Sequence, residues 1–178
     1  MVAPAQTLKL ATVTKGRLPP RGGEREVRLS KVDDAKQIVY GVVLDPYIVD
    51  AHDDWIPPAE VEKTAHDYLA SYRAVKVEHD KPALAHPVES FLMPYPSAED
   101  YKKAMGNEPH RVWKFPLGVD HVHSGAWVLG MRVMDSGVWA AVKSGELGAF
   151  SIGAWGTREP MASAPLLQVE VLSIEVPA

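Results

Sequence analysis

The sequence predicts an α+β fold, and three observations predict it. Short β-branched or apolar runs bounded by turn residues recur along the chain and give four to six strands. Two or three segments carry apolar residues at helical spacing behind recognisable capping residues. Strands and helices do not alternate strictly, which argues against a βαβ series.

Residues 1–35, rich in Lys, Arg, Gly, Pro and Thr without steady periodicity, read as a flexible arm with one short strand near Glu26 to Leu29. Order is expected from QIVYGVVLDP (37–46), a buried strand. The next segment, IVDAHDDWIPP, reads as a tight turn held by Asp50, His52 and Asp53. Pro57 and Pro58 open a helix whose inward face is Val61, Ala65, Tyr68, Leu69 and Tyr72. Residues 74–80 (AVKVEHD) and 86–95 (HPVESFLMPY) read as strands, with KPALA between them as the link of a hairpin.

SAEDYKKAMG has the signals of a short surface helix, Ser97 capping its start and Gly106 its end. Residues 107–123 read as a long loop, and Trp113, Phe115 and Trp127 as cover for the core rather than a peptide groove. GAWVLGMRVMD (125–135) is the clearest strand. A short helix follows, capped by Asp135 or Ser136, with Val138, Trp139 and Val142 inward. The chain closes with a strand around Ser151, a polar turn over 156–165 and a last strand over 166–178.

Composition narrows the function. The 178 residues suit one domain with a real core, and 46% apolar with 24% charged residues is ordinary for a globular protein. A net charge of −4 gives no basic footprint for nucleic acid and no polybasic membrane patch. No apolar run approaches the ~20 residues of a membrane span, and the N-terminus lacks a signal-peptide core. With no cysteine, disulfide scaffolds, thiol nucleophiles and thiolate metal sites drop out. There is no Walker loop, no GxGxxG after a strand and no GxSxG elbow.

The chemistry centres on residues 145–153, GELGAFSIG. Phe150, Ile152 and Ala154 alternate with Ser151 and Gly153, so a strand puts Ser151 on one face. Taken alone, the stretch fits a small polar strand residue better than a nucleophile. A serine nucleophile needs a base within hydrogen-bond reach, and of seven histidines His79 is favoured because it ends a β-rich segment able to pair beside the serine strand. The group that orients the base can be argued as Glu170 or Glu89; Asp80, adjacent to His79, points to the opposite face of a strand. His121 and His123 share a face if extended, with His110, His52 and Asp53 or Asp54 as supplements, but without an HExxH pair no metal or other cofactor is expected.

Four segments together resemble the phage prohead (capsid maturation) serine proteases, in their XkdF-like branch. They are IVYGVVLDPYIVDAHDDW, VEHD followed by PVES, GAWVLGMRVMDSGVWAAVKSGELGAFSIG, and VEVLSIEVPA, in the family's order over 38–178. The resemblance implies a fold similar to herpesvirus assembly proteases: a mostly antiparallel, β-barrel-like core with two or three flanking helices, in a domain over 36–178. It implies His79 as base and Ser151 as nucleophile. The viral relatives often place another histidine on the strand after the serine; this chain has none beyond His123, so Glu170 takes that place, with Glu89 in reserve. A backbone oxyanion hole is implied, with the turn at 156–158 as its candidate. The implied substrates are phage scaffold and major capsid protein segments inside a procapsid in the host cytoplasm, and the protease itself. The Val-Pro-Ala end fits either self-cleavage or a chosen boundary, and a homodimer is left open. Two alternatives stand beside this reading: an inactive phage structural or scaffold-associated module of the same fold, and a metal-dependent hydrolase on His121 and His123.

Overall fold

A computed structural model describes residues 7–12, 23–48, 54–73, 76–77, 81–82, 85–118, 120–160 and 170–173. The chain begins with strands β1 (Thr7–Thr12), β2 (Gly23–Asp33), β3 (Ile38–Leu44) and β4 (Asp54–Trp55), then helix α1 (Pro58–Asp67). Strands β5 (Lys76–Val77), β6 (Lys81–Pro82) and β7 (Ala85–Leu92) follow, then α2 (Ala98–Met105). Next come β8 (Arg111–Leu117), β9 (Asp120–His123), β10 (Trp127–Val133) and α3 (Ser136–Ser144). The last elements are β11 (Ala149–Pro160) and β12 (Glu170–Ser173).

The class is α+β with mostly antiparallel sheets and three α-helices. The larger sheet runs β4-β1-β11-β2-β3-β10-β7, with β5 on β11 and β6 on β5; the smaller runs β12-β8-β9. Among the described strands only β1–β11 and β12–β8 pair in parallel. The described strands leave β4 and β7 as ends of an open path, so the barrel-like core expected from sequence is not closed among them.

Strands β3 and β10 form the centre because both faces of each are apolar. On one face Val39, Val43, Trp127, Leu129, Met131 and Val133 pack with Val61, Ala65 and Tyr68 and with Trp139. On the other, Ile38, Tyr40 and Val128 are covered by Met93 and Leu117. Burying each large side chain contributes roughly 1.5–3 kcal/mol. Trp127, 1% exposed, also donates its indole N–H to Ser90 Oγ at 2.9 Å, so its burial strands no donor.

Gly130 of β10 sits between Tyr40 and Glu89 in the strand registers. A Cβ there would lie 2.9 Å from Tyr40 Cε1 and 3.0 Å from Glu89 Cβ. The missing side chain lets Tyr40 hydrogen-bond the Glu89 carboxylate across β10; burial and that bond raise its phenol pKa. At the far edge β7 carries Pro87, exposed Glu89 and a register shift against β10.

Helix α1 begins at Pro58, tolerated in a first turn, and runs into a π-helical turn, Tyr68–Tyr72, closed by Arg73 N–H to Tyr68 O at 3.0 Å. The widened turn carries Tyr72 off the apolar face: expected inward, it is 41% exposed. Helix α2 follows its sequence signals, Ser97 accepting from Asp100 N and Gly106 closing it. It is more than a surface helix, because Asp100, 4% exposed, grips Arg111 at the start of β8 through its backbone N–H, Nε and Nη2. Helix α3 is capped by Asp135 and ended by Gly145 at φ +77°.

Four expectations are corrected. The described parts of residues 1–35 are paired strands: β1 on β11 and β4, and β2, which contains the short strand expected near Glu26 to Leu29, between β11 and β3. The loop over 107–123 holds the β8–β9 hairpin, turned at Gly118 (φ +60°), where a Cβ would strike Ser30 O at 1.9 Å. The hairpin expected across KPALA forms earlier in the chain, β5 pairing with β6 (Lys81–Pro82), while β7 joins β10. Residues 156–158 are strand rather than turn, paired with β1.

Replacing Gly130 by Val should destabilise the fold by about 1–3 kcal/mol through overpacking, read as a lower thermal midpoint; an unchanged midpoint would contradict the packing described. Arg111 holds the Asp100 carboxyl well below the usual carboxylate range, first through its side-chain hydrogen bond and then with help from Ser97. The folded pKa being depressed, this stabilisation is present above the unfolded value of about 3.9 and is lost as pH falls toward the folded pKa. Urea unfolding from pH 6 down to 2 should show the parent losing more stability than Asp100→Asn; equal losses would refute the assignment.

Candidate active site

Strand β11 leaves α3 through Gly145 and Gly148, whose Cα atoms face open space. Leu29 N–H donates to Gly148 O at 2.9 Å and fixes the point where β11 meets β2. From there Ala149–Ala154 pair with β2, and Trp155–Pro160 with β1. Ser151 lies opposite Glu26 of β2 on one side and Lys76 of β5 on the other. Directly opposed antiparallel residues hold their Cβ atoms about 4.5–5.5 Å apart, so these three positions form one row across three strands.

His79 lies outside the described residues, in the stretch 78–80 between the paired strands β5 and β6. The chain enters that stretch from Lys76–Val77, and Lys76 is the residue paired with Ser151. Segments far apart in sequence therefore meet through the β5–β11 contact. Glu170 starts β12 in the smaller sheet, paired with Arg111 of β8, so strand pairing does not bring it to Ser151. Glu89 is separated from β11 by β2, β3 and β10, and Tyr40 engages it. Glu26 and Lys76 were not singled out in the sequence, because only register brings them beside the serine.

A family profile described as "Putative phage serine protease XkdF" matches residues 26–159. The chain belongs to that family. Among curated proteins, the XkdF protein of the phage-like element PBSX of Bacillus subtilis (strain 168) is 30% identical over 164 residues, 90% of this chain and 52% of that protein. The uncharacterized protein YqbD of the same organism is 32% identical over 138 residues, 76% of this chain and 36% of that protein. The chain thus spans about half or less of these relatives' lengths. No solved structure matches it. The span matched by the XkdF family includes Ser151, His79, Lys76, Glu26 and Glu89; Glu170 lies beyond it.

In this XkdF-family chain two described histidines of the long polar segment, His110 and His123, are committed elsewhere. His123 donates from Nδ1 to Asp45 Oδ2 at 2.9 Å, and its backbone N–H reaches the same oxygen at 3.3 Å. Tyr47 N–H donates to Asp45 Oδ1 at 2.9 Å, so the buried carboxylate accepts three bonds. His110 Nδ1 faces the Glu108 carbonyl, which only accepts, so Nδ1 carries the hydrogen. In the neutral ring Nε2 then accepts from the Tyr47 hydroxyl, and Tyr47 in turn accepts from Tyr95 at 3.1 Å. Burial, the largest cause, raises both phenols, Tyr47 far above the usual range and Tyr95 to about 12.

This network ties together the ends of β3, β7 and β9 and the approach to β8. Asp45 fixes the His123 tautomer as a carboxylate does in a catalytic triad, but the neighbouring Ser124 hydroxyl is taken up by Trp113. The cluster is accordingly structural. His121 and His123 do lie on the extended β9, yet His121 is exposed while His123 is turned to Asp45. Among the described residues no three His, Asp or Glu groups are gathered to hold an ion. Asp45→Ala should cost roughly 2–3 kcal/mol by stranding its donors, against within about 0.5 kcal/mol for exposed His121→Ala. Equal unfolding midpoints for the two variants would refute the network's role.

Proposed function

We propose that the chain is a serine endopeptidase of phage capsid (prohead) maturation, with Ser151 as nucleophile and His79 as general base. The observation that carries this reading is the β5–β11 pairing, which sets the strand leading to His79 against Ser151. Family membership supports the reaction class. In the reaction His79 takes the Ser151 hydroxyl proton as the oxygen attacks the scissile carbonyl, then returns it to the leaving amine. Water, activated by the same imidazole, hydrolyses the acyl-enzyme. Glu170 is assigned the orienting role from its order in the chain alone. The fold is read as a relative of herpesvirus assembly proteases, supported by the mostly antiparallel sheet with flanking helices. Substrates are scaffold and major capsid protein segments, and the protease itself, inside the assembling procapsid.

One observation favours a second reading of the base. Lys76 lies directly opposite Ser151, and a lysine of lowered pKa serves as base in Ser–Lys enzymes. The two readings part on mutation and on pH. With a histidine base, cleavage of co-expressed scaffold and capsid protein is lost in Ser151→Ala and His79→Ala but kept in Lys76→Ala, and the rate rises through about pH 6–7. Serine-directed phosphonate should label the parent and not Ser151→Ala. Loss in Lys76→Ala with survival in His79→Ala would move the base to Lys76. Cleavage retained by Ser151→Ala would end the assignment, and a folded parent with neither cleavage nor labelling would point to the inactive structural module.

A further inference from the structure

Helices α1 and α2, the segment after β7 and Gly125 enclose a cavity of about 180 Å³ whose walls include Glu62, Leu92, Met93, Tyr95, Tyr101 and Met105. Small-molecule sites commonly occupy about 300–1,000 Å³, so this one is sized for a single side chain. Glu62 and Met105 also border a neighbouring recess along α1, whose other walls include Lys63, His66 and Asp67.

The walls are apolar except at one place. Tyr95 and Tyr101 meet edge to face with centroids 5.9 Å apart, and Tyr101 donates its hydroxyl to Glu62 Oε1 at 3.0 Å. The Glu62 carboxylate is felt by both rings: its hydrogen bond is the main cause raising the Tyr101 phenol, and its charge adds to the burial that raises Tyr95. Three nearby cations already have partners. Lys63 pairs with Asp67 at 2.9 Å, Lys103 with Glu99 at 2.7 Å and Arg111 with Asp100 at 2.8 Å. Glu62 has no cationic partner among the described residues. The cavity therefore presents a carboxylate with no cationic partner among the described residues, beside two aromatic rings and in a slot lined by thioethers and leucine.

We propose that this cavity is a subsite for the lysine or arginine side chain of an extended peptide. The aliphatic stem lies along Leu92, Met93 and Met105, as long basic side chains do on apolar surface. The cationic head meets Glu62 and the tyrosine rings, combining an ion pair with cation–π attraction. A purely apolar side chain fits the slot less well, since it covers the Glu62 carboxylate without supplying a donor. Binding here does not depend on whether Ser151 is a nucleophile, because the subsite is built from other elements.

The test is an NMR titration of the whole chain with the tripeptide acetyl-Gly-Lys-Gly-amide and its norleucine counterpart. The lysine peptide should give saturable shifts at Tyr95, Tyr101 and the Met105 methyl, weakening as salt is raised. Glu62→Gln should lower affinity at least tenfold. Tyr101→Phe removes the same internal hydrogen bond but keeps the charge, so binding should survive it; amide spectra confirm that both variants fold. Equal shifts from the norleucine peptide, unchanged binding by Glu62→Gln, equal losses in both variants, or no saturable shift at these residues would each overturn the proposal.

Discussion

Strand β2 is divided between two partners, and the placement of Ser151 depends on that division. Up to Arg28 it bonds to β11; from Leu29 onward it bonds to β3. The β3–β10 centre is packed on both faces and has little freedom to shift. Through β2 that rigidity reaches β11, while the Leu29–Gly148 hydrogen bond fixes where the serine strand begins. Backbone on such a strand is held more narrowly than on a loop.

Legibility in the sequence followed burial. Strands β3 and β10 are covered on both sides, so they appear as dense apolar runs, and the caps Ser97, Gly106 and Asp135 announced their helix ends. Strand β8 was hidden because Arg111, Lys114 and Pro116 interrupt its apolar positions; hairpin pairing and the tight fit of Gly118 against Ser30 hold it extended. Strand β1 was hidden, and β2 was read only over Glu26 to Leu29, for a related reason. β1 and the first part of β2 are held by β11, far along the chain, a cause that no local window contains.

The candidate site divides along the same line. Alternation in GELGAFSIG was enough to place Ser151 on a strand, but its neighbours Glu26 and Lys76 follow from register alone. Glu89 looked available as a strand carboxylate because nothing in its surroundings in sequence reveals Tyr40 reaching over Gly130. Likewise Asp45 and His123 are 78 positions apart, so DHVH resembled a metal motif while one of its imidazoles was already committed.

Among the described strands β7 is an outer rim of the sheet, which has a consequence of its own. An incoming strand laid along β7 would find no amide hydrogen at Pro87, a broken spacing near Val88 and the charge of Glu89. Continuous growth from that border is therefore interrupted within a few residues. Molecules crowded together at high local concentration are protected there against fusing their sheets into fibres.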